Sequence, residues 1–215
     1  MLVNRCSADA KDEVKIISVL KALGNLGVMT AEARTKVADC AKDIKRPITG
    51  RLAAIQATRN NPCENQVKDN LLNILEGKNE DAEVRIAAYQ GVMRCPCSHS
   101  LLRIQTLLNT EEVNQVGSYI SSHLQNIRLS PTPGKENASR LVKKLSIDKS
   151  FPADLRKYSR NIAVSHFCNI NNAGWDIDTN IVYAPKSFIP RSASMNLTLD
   201  LFGQSVNGFR NWYAC

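Results

Sequence analysis

The residues best suited to chemistry lie in Cys95-Pro-Cys-Ser-His99, with Cys63 farther upstream. Thiolates and imidazole are the ligands zinc prefers, and Cys63, Cys95, Cys97 and His99 are enough in number for a tetrahedral site. Their spacing departs from the pairs separated by two to four residues that such sites use. The same cysteines can form a disulfide in an oxidising compartment, or remain as thiols in a reducing one. The three histidines stand apart from one another. His123 falls among Tyr119, Ile120 and Leu124, a helical position that suits a structural imidazole, and His166 sits beside Phe167 in a strand pattern. Nothing matches a nucleophile elbow, a P-loop or a dinucleotide fingerprint. With no convergence of nucleophile, acid and base, the expectation is a protein that is not an enzyme and needs neither cofactor nor metal.

The elements that would position these groups begin with Glu83 to Cys97. On a helix, Val84, Ala87, Ala88, Gly91 and Cys95 make one apolar stripe, and Ile86, Tyr89 and Met93 make a second beside it. A helix apolar over more than half its circumference packs on two sides, as an interior member of an array. A preceding helix offers Val67, Leu71, Ile74 and Leu75. Gly77 is expected in the left-handed position that ends it, and Asn79 as the N-cap of the next. In this antiparallel hairpin, from about Glu64 to Arg94, Cys63 and the pair Cys95 and Cys97 fall at the same end, so a bridge from Cys63 to either is geometrically sensible.

The unit recurs. Arg51-Leu-Ala-Ala-Ile-Gln-Ala57 reads like Arg85-Ile-Ala-Ala-Tyr-Gln-Gly91, 34 residues on, and Leu20-Lys-Ala-Leu-Gly24 shares the pattern of small and apolar residues. One helical hairpin per repeat at such a period is the mark of an α-solenoid. Small residues such as Gly24, Ala57, Ala88 and Gly91 would let neighbouring helices approach. Thr30 is expected to cap a helix that turns Val37, Cys40 and Ala41 inward. Further helices are read up to Leu145, with Ser130-Pro-Thr-Pro-Gly134 as a linker.

From Arg156 the apolar period becomes two. Ile177, Thr179, Ile181 and Tyr183 alternate with Asp178, Asn180 and Val182. Met195, Leu197, Leu199 and Leu201 alternate with Asn196, Thr198, Asp200 and Phe202. Three strands are read, with an aliphatic face that needs a partner: the helices, further strands or lipid. The fold class is therefore α+β, a HEAT-like helical superhelix over 1–150 followed by the first strands of an antiparallel sheet over 151–215.

The bulk properties fit a folded chain: 43% of the 215 residues are hydrophobic, and the net charge is +8. No run approaches the roughly 20 apolar residues of a membrane span. Basic residues are scattered, without the aromatic interleaving of a nucleic-acid surface, so nucleic acid is not an expected partner. Met1-Leu-Val-Asn-Arg-Cys6 lacks the apolar core of a signal peptide. Seven cysteines nevertheless suit an oxidising compartment. The sequons Asn137-Ala-Ser139 and Asn196-Leu-Thr198 point the same way, with Asn137 and Asn196 as glycosylation candidates.

Four segments together, EVRIAAYQGVMRCP, EEVNQVGSYISSHLQN from Glu111, RKYSRN from Arg156 and PKSFIPRSASMNLTLDLFGQSVN from Pro185, resemble the large lipid transfer proteins, the family of vitellogenins, apolipoprotein B and apolipophorins, and the apolipophorin branch above all. The resemblance covers nearly the whole chain. It implies the later part of a helical superhelix and the opening of a sheet that walls a lipid cavity. It implies lipid transport within a secreted lipoprotein carried in circulating fluid. The implied partners are lipids (phospholipid, diacylglycerol or another neutral lipid), a lipoprotein receptor and the rest of a larger precursor. By the same resemblance, Met195, Leu197, Leu199 and Leu201 would face lipid, with Ile177, Ile181 and Tyr183 beside them. The end of the chain, 208–215, does not read like the family's continuation. The competing expectation is a cytosolic helical-repeat scaffold that binds a protein partner in its groove.

Overall fold

A computed structural model describes residues 13–27, 29–61 and 63–214, with 208–214 described by backbone alone. The readings that fall on Met1 to Cys6, on Pro62 and on Cys215 lie outside the described residues. The chain divides into two compact units, one up to Pro96 and one from Cys97.

The described part of the first unit is a row of helices: α1 (Glu13–Asn25), α2 (Ala31–Lys42), α3 (Ile48–Ala57), α4 (Asn65–Glu76) and α5 (Ala82–Val92). Thr30 caps α2, its side chain accepting the Ala33 N–H. Val37, Cys40, Ala54, Leu72, Leu75, Val84, Ala88, Tyr89 and Val92 form the core. Burial on α5 runs round both expected stripes, as an interior helix requires. A Cβ on Gly91 would lie 2.7 Å from Leu71 Cδ1, so a glycine there is what lets α4 and α5 close up.

The 34-residue repeat has a side-chain signature. Arg51 and Arg85 are both buried. Each donates Nε–H to a carbonyl ten residues back, at the end of the preceding helix: Arg51 to Ala41 at 2.9 Å and Arg85 to Leu75 at 2.7 Å. Each thus satisfies a backbone acceptor that a helix terminus leaves open. Arg51 also grips Glu80 through both carboxylate oxygens. Burial pulls the Glu80 carboxyl upward, but hydrogen bonds from Arg51 and from the Asp81 N–H outweigh it and hold it below its ordinary value.

That contact accompanies two corrections. Gly77 is extended, with φ −64° and ψ 105°, not left-handed. Asp81, not Asn79, caps α5 and accepts the Glu83 N–H at 2.9 Å. Glu80, committed to Arg51, sits inside a turn closed by its own N–H to the Gly77 carbonyl. The helix starts only after it.

The second unit holds α6 (Ser98–Thr110), α7 (Asn114–Leu129), α8 (Glu136–Val142) and a four-stranded antiparallel meander. Its strands are β1 (Arg160–Cys168), β2 (Ala173–Tyr183), β3 (Pro190–Leu201) and β4 (Gln204–Ala214), in that order across the sheet. Leu101, Ile104, Leu108, Val116, Tyr119, Ile120 and Leu124 make its helical core. Four strands replace the three expected. Phe202 and Gly203 take φ of 53° and 81°, the paired positive values of a tight two-residue hairpin turn, and β4 returns along β3.

Candidate functional site

The sheet carries two chemically opposite faces. Pairing places Val164, Ile177 and Leu197 in one row across β1, β2 and β3, and Ile162, Thr179 and Met195 in the next. Trp175 pairs with Leu199, which pairs with Val206 on β4, and Ala173 pairs with Leu201. This apolar face is open. Ile162, Val164, Trp175, Met195, Leu199, Leu201 and Val206 are between 37% and 56% exposed, while Ile177, Ile181 and Leu197 are half-buried.

The other face is polar, and the helices of the second unit cover it. Asn161, Asp176, Ser194 and Asp200 are buried. The Tyr119 hydroxyl on α7 donates to Asn180 Oδ1 at 2.5 Å, and Asn161 Nδ2 donates to the same oxygen at 2.9 Å. Asn180 Nδ2 in turn donates to Ser194 Oγ at 3.3 Å. Asn126 Nδ2 reaches Asn161 Oδ1 at 2.7 Å, and the Asn161 N–H reaches Ser122 Oγ at 3.0 Å. Gln115 Oε1 accepts both the N–H and the hydroxyl of Ser159. Buried polar groups are tolerated when hydrogen-bonded in this way, and such a network fixes how α7 lies on the sheet. Gly117 on α7 supports it, since a Cβ there would overlap the Phe151 ring.

On the covered face one lysine meets two carboxylates. Lys135 Nζ donates to Asp176 Oδ2 at 2.6 Å and to Asp178 Oδ2 at 2.7 Å. Burial, with hydrogen bonding to Asp178, pushes the Asp176 carboxyl up to about 6. Burial pulls the same way on Asp178, but the Lys135 charge and its hydrogen bonds leave that group below the ordinary value. Burial also drives the nearby His123 imidazole down to about 4, which keeps it neutral at physiological pH. Its ring lies 6.3 Å from that of Tyr119.

Comparison with known proteins accounts for both parts of this architecture. The family described as "Vitellogenin TPR domain" matches residues 2–125, and that described as "Vitellinogen, open beta-sheet" matches residues 157–213. The chain belongs to the family of vitellogenins, apolipophorins and apolipoprotein B. Among its relatives are the apolipophorins of Locusta migratoria, 39% identical over 92% of this chain, and of Manduca sexta, 36% identical over 91%. The chain spans about 6% of the length of either. A solved structure titled "Lipid-protein interactions in lipovitellin" shares the fold, with a TM-score of 0.78 at 22% identity over 91% of this chain and 21% of that one.

Within this vitellogenin-type fold, six of the seven residues expected to face lipid lie on the open side of the sheet. Tyr183 does not. It is 7% exposed and its hydroxyl donates to the Leu155 carbonyl at 3.1 Å, so its ring is covered rather than open. Cys63 is bridged to Cys95, with Cα atoms 5.2 Å apart. Cys97 lies outside that bridge because it is the N-cap of α6, where its N–H is accepted by Ser100 Oγ at 3.1 Å. Cys40 is also disulfide-bonded. His99 is exposed in the first turn of α6, and no cluster of metal-ligating side chains occurs among the described residues. Of the two sequons, Asn137 is exposed, whereas Asn196 points to the covered face with its Oδ1 buried. The polar network is what sequence reasoning missed: Tyr119, Asn126, Asn161 and Asn180 lie far apart in the chain, and only the runs of Asp and Asn along β2 hinted at it.

Proposed function

We propose that this chain is a segment of a secreted, apolipophorin-like lipoprotein that carries lipid non-covalently, and that the open face of its sheet lies against that lipid. The observation that carries the reading is the polarity of the sheet. Helices cover the face rich in Asp, Asn and Ser, while Trp175, Ile177, Met195, Leu197, Leu199 and Leu201 remain open. An apolar surface of this extent marks a binding surface, and each Å² of it removed from water contributes about 25 cal/mol. Residues 1–150 serve as part of the helical superhelix and 151–215 as the beginning of the lipid-bearing sheet. Phospholipid, diacylglycerol or another neutral lipid is the cargo, with the rest of a larger precursor and a lipoprotein receptor as protein partners. The bridge from Cys63 to Cys95 and the bonded Cys40 favour the secretory pathway. The relatives are lipid-transport lipoproteins, and they lend no support to a cytosolic scaffold.

The test is the doubly substituted L197D/L199D chain, assayed by flotation with triolein emulsions coated in phosphatidylcholine. The expected result is loss of emulsion binding, since an Asp carried into hydrocarbon costs roughly 2.5–3.5 kcal/mol. Binding equal to that of the unsubstituted chain would remove the sheet face from the lipid contact.

A further inference from the structure

The second unit contains an open groove of about 660 Å³ on the helix-covered side of the sheet, beside the β1–β2 turn. Its size falls within the roughly 300–1,000 Å³ of sites that hold small ligands. The turn between α7 and α8 supplies Ser130, Pro131, Thr132 and Pro133, and β1 supplies Phe167. Arg140, Lys143 and Lys144 bring three positive charges to its wall against the one negative charge of Glu136. Among the described residues none of the three is in an ion pair, and the recorded side-chain bond of Arg140 goes to the neutral Asn137. Uncompensated cations beside an aromatic wall suit a phosphate ester rather than a hydrocarbon chain.

The surroundings say where such an ester would come from. Asn169, at the groove's edge, is followed by Ile170, which is 93% exposed. The Phe202 N–H is bonded to the Asn172 carbonyl at 2.8 Å, so the β3–β4 turn lies against the β1–β2 turn, and Phe202 is 78% exposed. The rim that carries the basic groove thus carries two bare apolar tips. Apolar tips beside cations match the depth profile of a phospholipid monolayer, hydrocarbon beneath and phosphate at its surface.

We propose that this groove holds the phosphate headgroup of an anionic phospholipid while Ile170 and Phe202 enter the acyl layer. The proposal rests on the lipid-facing reading of the sheet and names the lipid class met at its rim. The test uses the whole chain and phosphatidylcholine vesicles prepared with and without phosphatidic acid, compared with R140Q/K143Q/K144Q. A control of equal charge change, K21Q/K45Q/K78Q, alters exposed lysines of the first unit. The unsubstituted chain and the control are expected to prefer the phosphatidic acid vesicles. The groove variant is expected to lose that preference, by roughly a hundredfold for three basic side chains at an anionic surface. It should still bind triolein emulsions coated in phosphatidylcholine, which report on the sheet alone. An unchanged preference in the groove variant, or an equal loss in the control, would overturn the proposal. So would inorganic phosphate binding that needs the three residues while the vesicles fail to distinguish the proteins. Failure of the unsubstituted chain to bind the neutral emulsion would instead count against the sheet reading, leaving the vesicle comparison to judge the groove.

Discussion

The two faces of the sheet in the second unit share one backbone and differ in almost everything else. On β2, Asp176, Asp178 and Asn180 lie beneath helices, while Trp175, Ile177 and Ile181 lie on the open side. An ordinary half-solvated sheet is arranged the other way, with the apolar face packed on the core. Here side-chain hydrogen bonds and one lysine between two carboxylates hold sheet to helices. The apolar face is left over from folding and available for something else. Whether a face is polar and whether it is covered are separate questions, and in this protein the usual link between them is reversed.

If the covered face holds the unit together, damage there should cost stability and damage on the open face should not. Lys135→Met leaves Asp176 and Asp178 without their shared cation and should lower unfolding stability by roughly 3 kcal/mol in urea denaturation. Asn180→Ala removes the acceptor of Tyr119 and Asn161 and should cost about 2 kcal/mol in the same measurement, because two buried donors lose their partner. Leu199→Ser, on the open face, should stay within about 0.5 kcal/mol in lipid-free protein. A Leu199→Ser cost as large as that of Asn180→Ala would erase the distinction between the faces.

The pH dependence sharpens the same contrast without a large net effect. His123 is held at about 4 against an ordinary 6.5, so between those values the unfolded chain binds more protons and acidification costs stability. Asp176 is raised to about 6 from 3.8, so over that window the folded chain binds more protons and acidification adds stability. The two slopes oppose each other through most of the interval from pH 6 to pH 4. Asp176→Asn should make the acid loss of stability steeper, and His123→Gln should flatten or reverse it, as read from thermal melts across that interval. Identical slopes in both variants would mean that neither group titrates as its surroundings dictate.

Local features of the helices were legible in the sequence. The repeat of Arg51 and Arg85, the Thr30 cap and the apolar circumference of α5 follow from spacing alone. Gly77 and Asn79 were misplaced because the turn is shared with Glu80, whose partner Arg51 lies 29 residues away. β4 was missed because its turn is Phe202-Gly203 rather than the usual Asn-Gly or Asp-Gly. Alternation correctly grouped Met195, Leu197, Leu199 and Leu201 on one face. It was silent on whether that face is covered, because the deciding contacts come from Tyr119, Ser122, Asn126 and Lys135. Tyr183 is buried by contacts with Leu155 and Ser159, which alternation along β2 does not report.

The central claim, that the open face meets lipid, is tested most directly by the fluorescence of Trp175, which lies on that face toward the β1–β2 turn. Trp212→Phe leaves Trp175 as the single tryptophan of the chain. With phospholipid brominated along its acyl chains coating an emulsion, the account predicts strong quenching of Trp175 and loss of its quenching by aqueous iodide. Emission that stays sensitive to iodide and indifferent to the bromolipid, while the protein is bound to the emulsion, would contradict it.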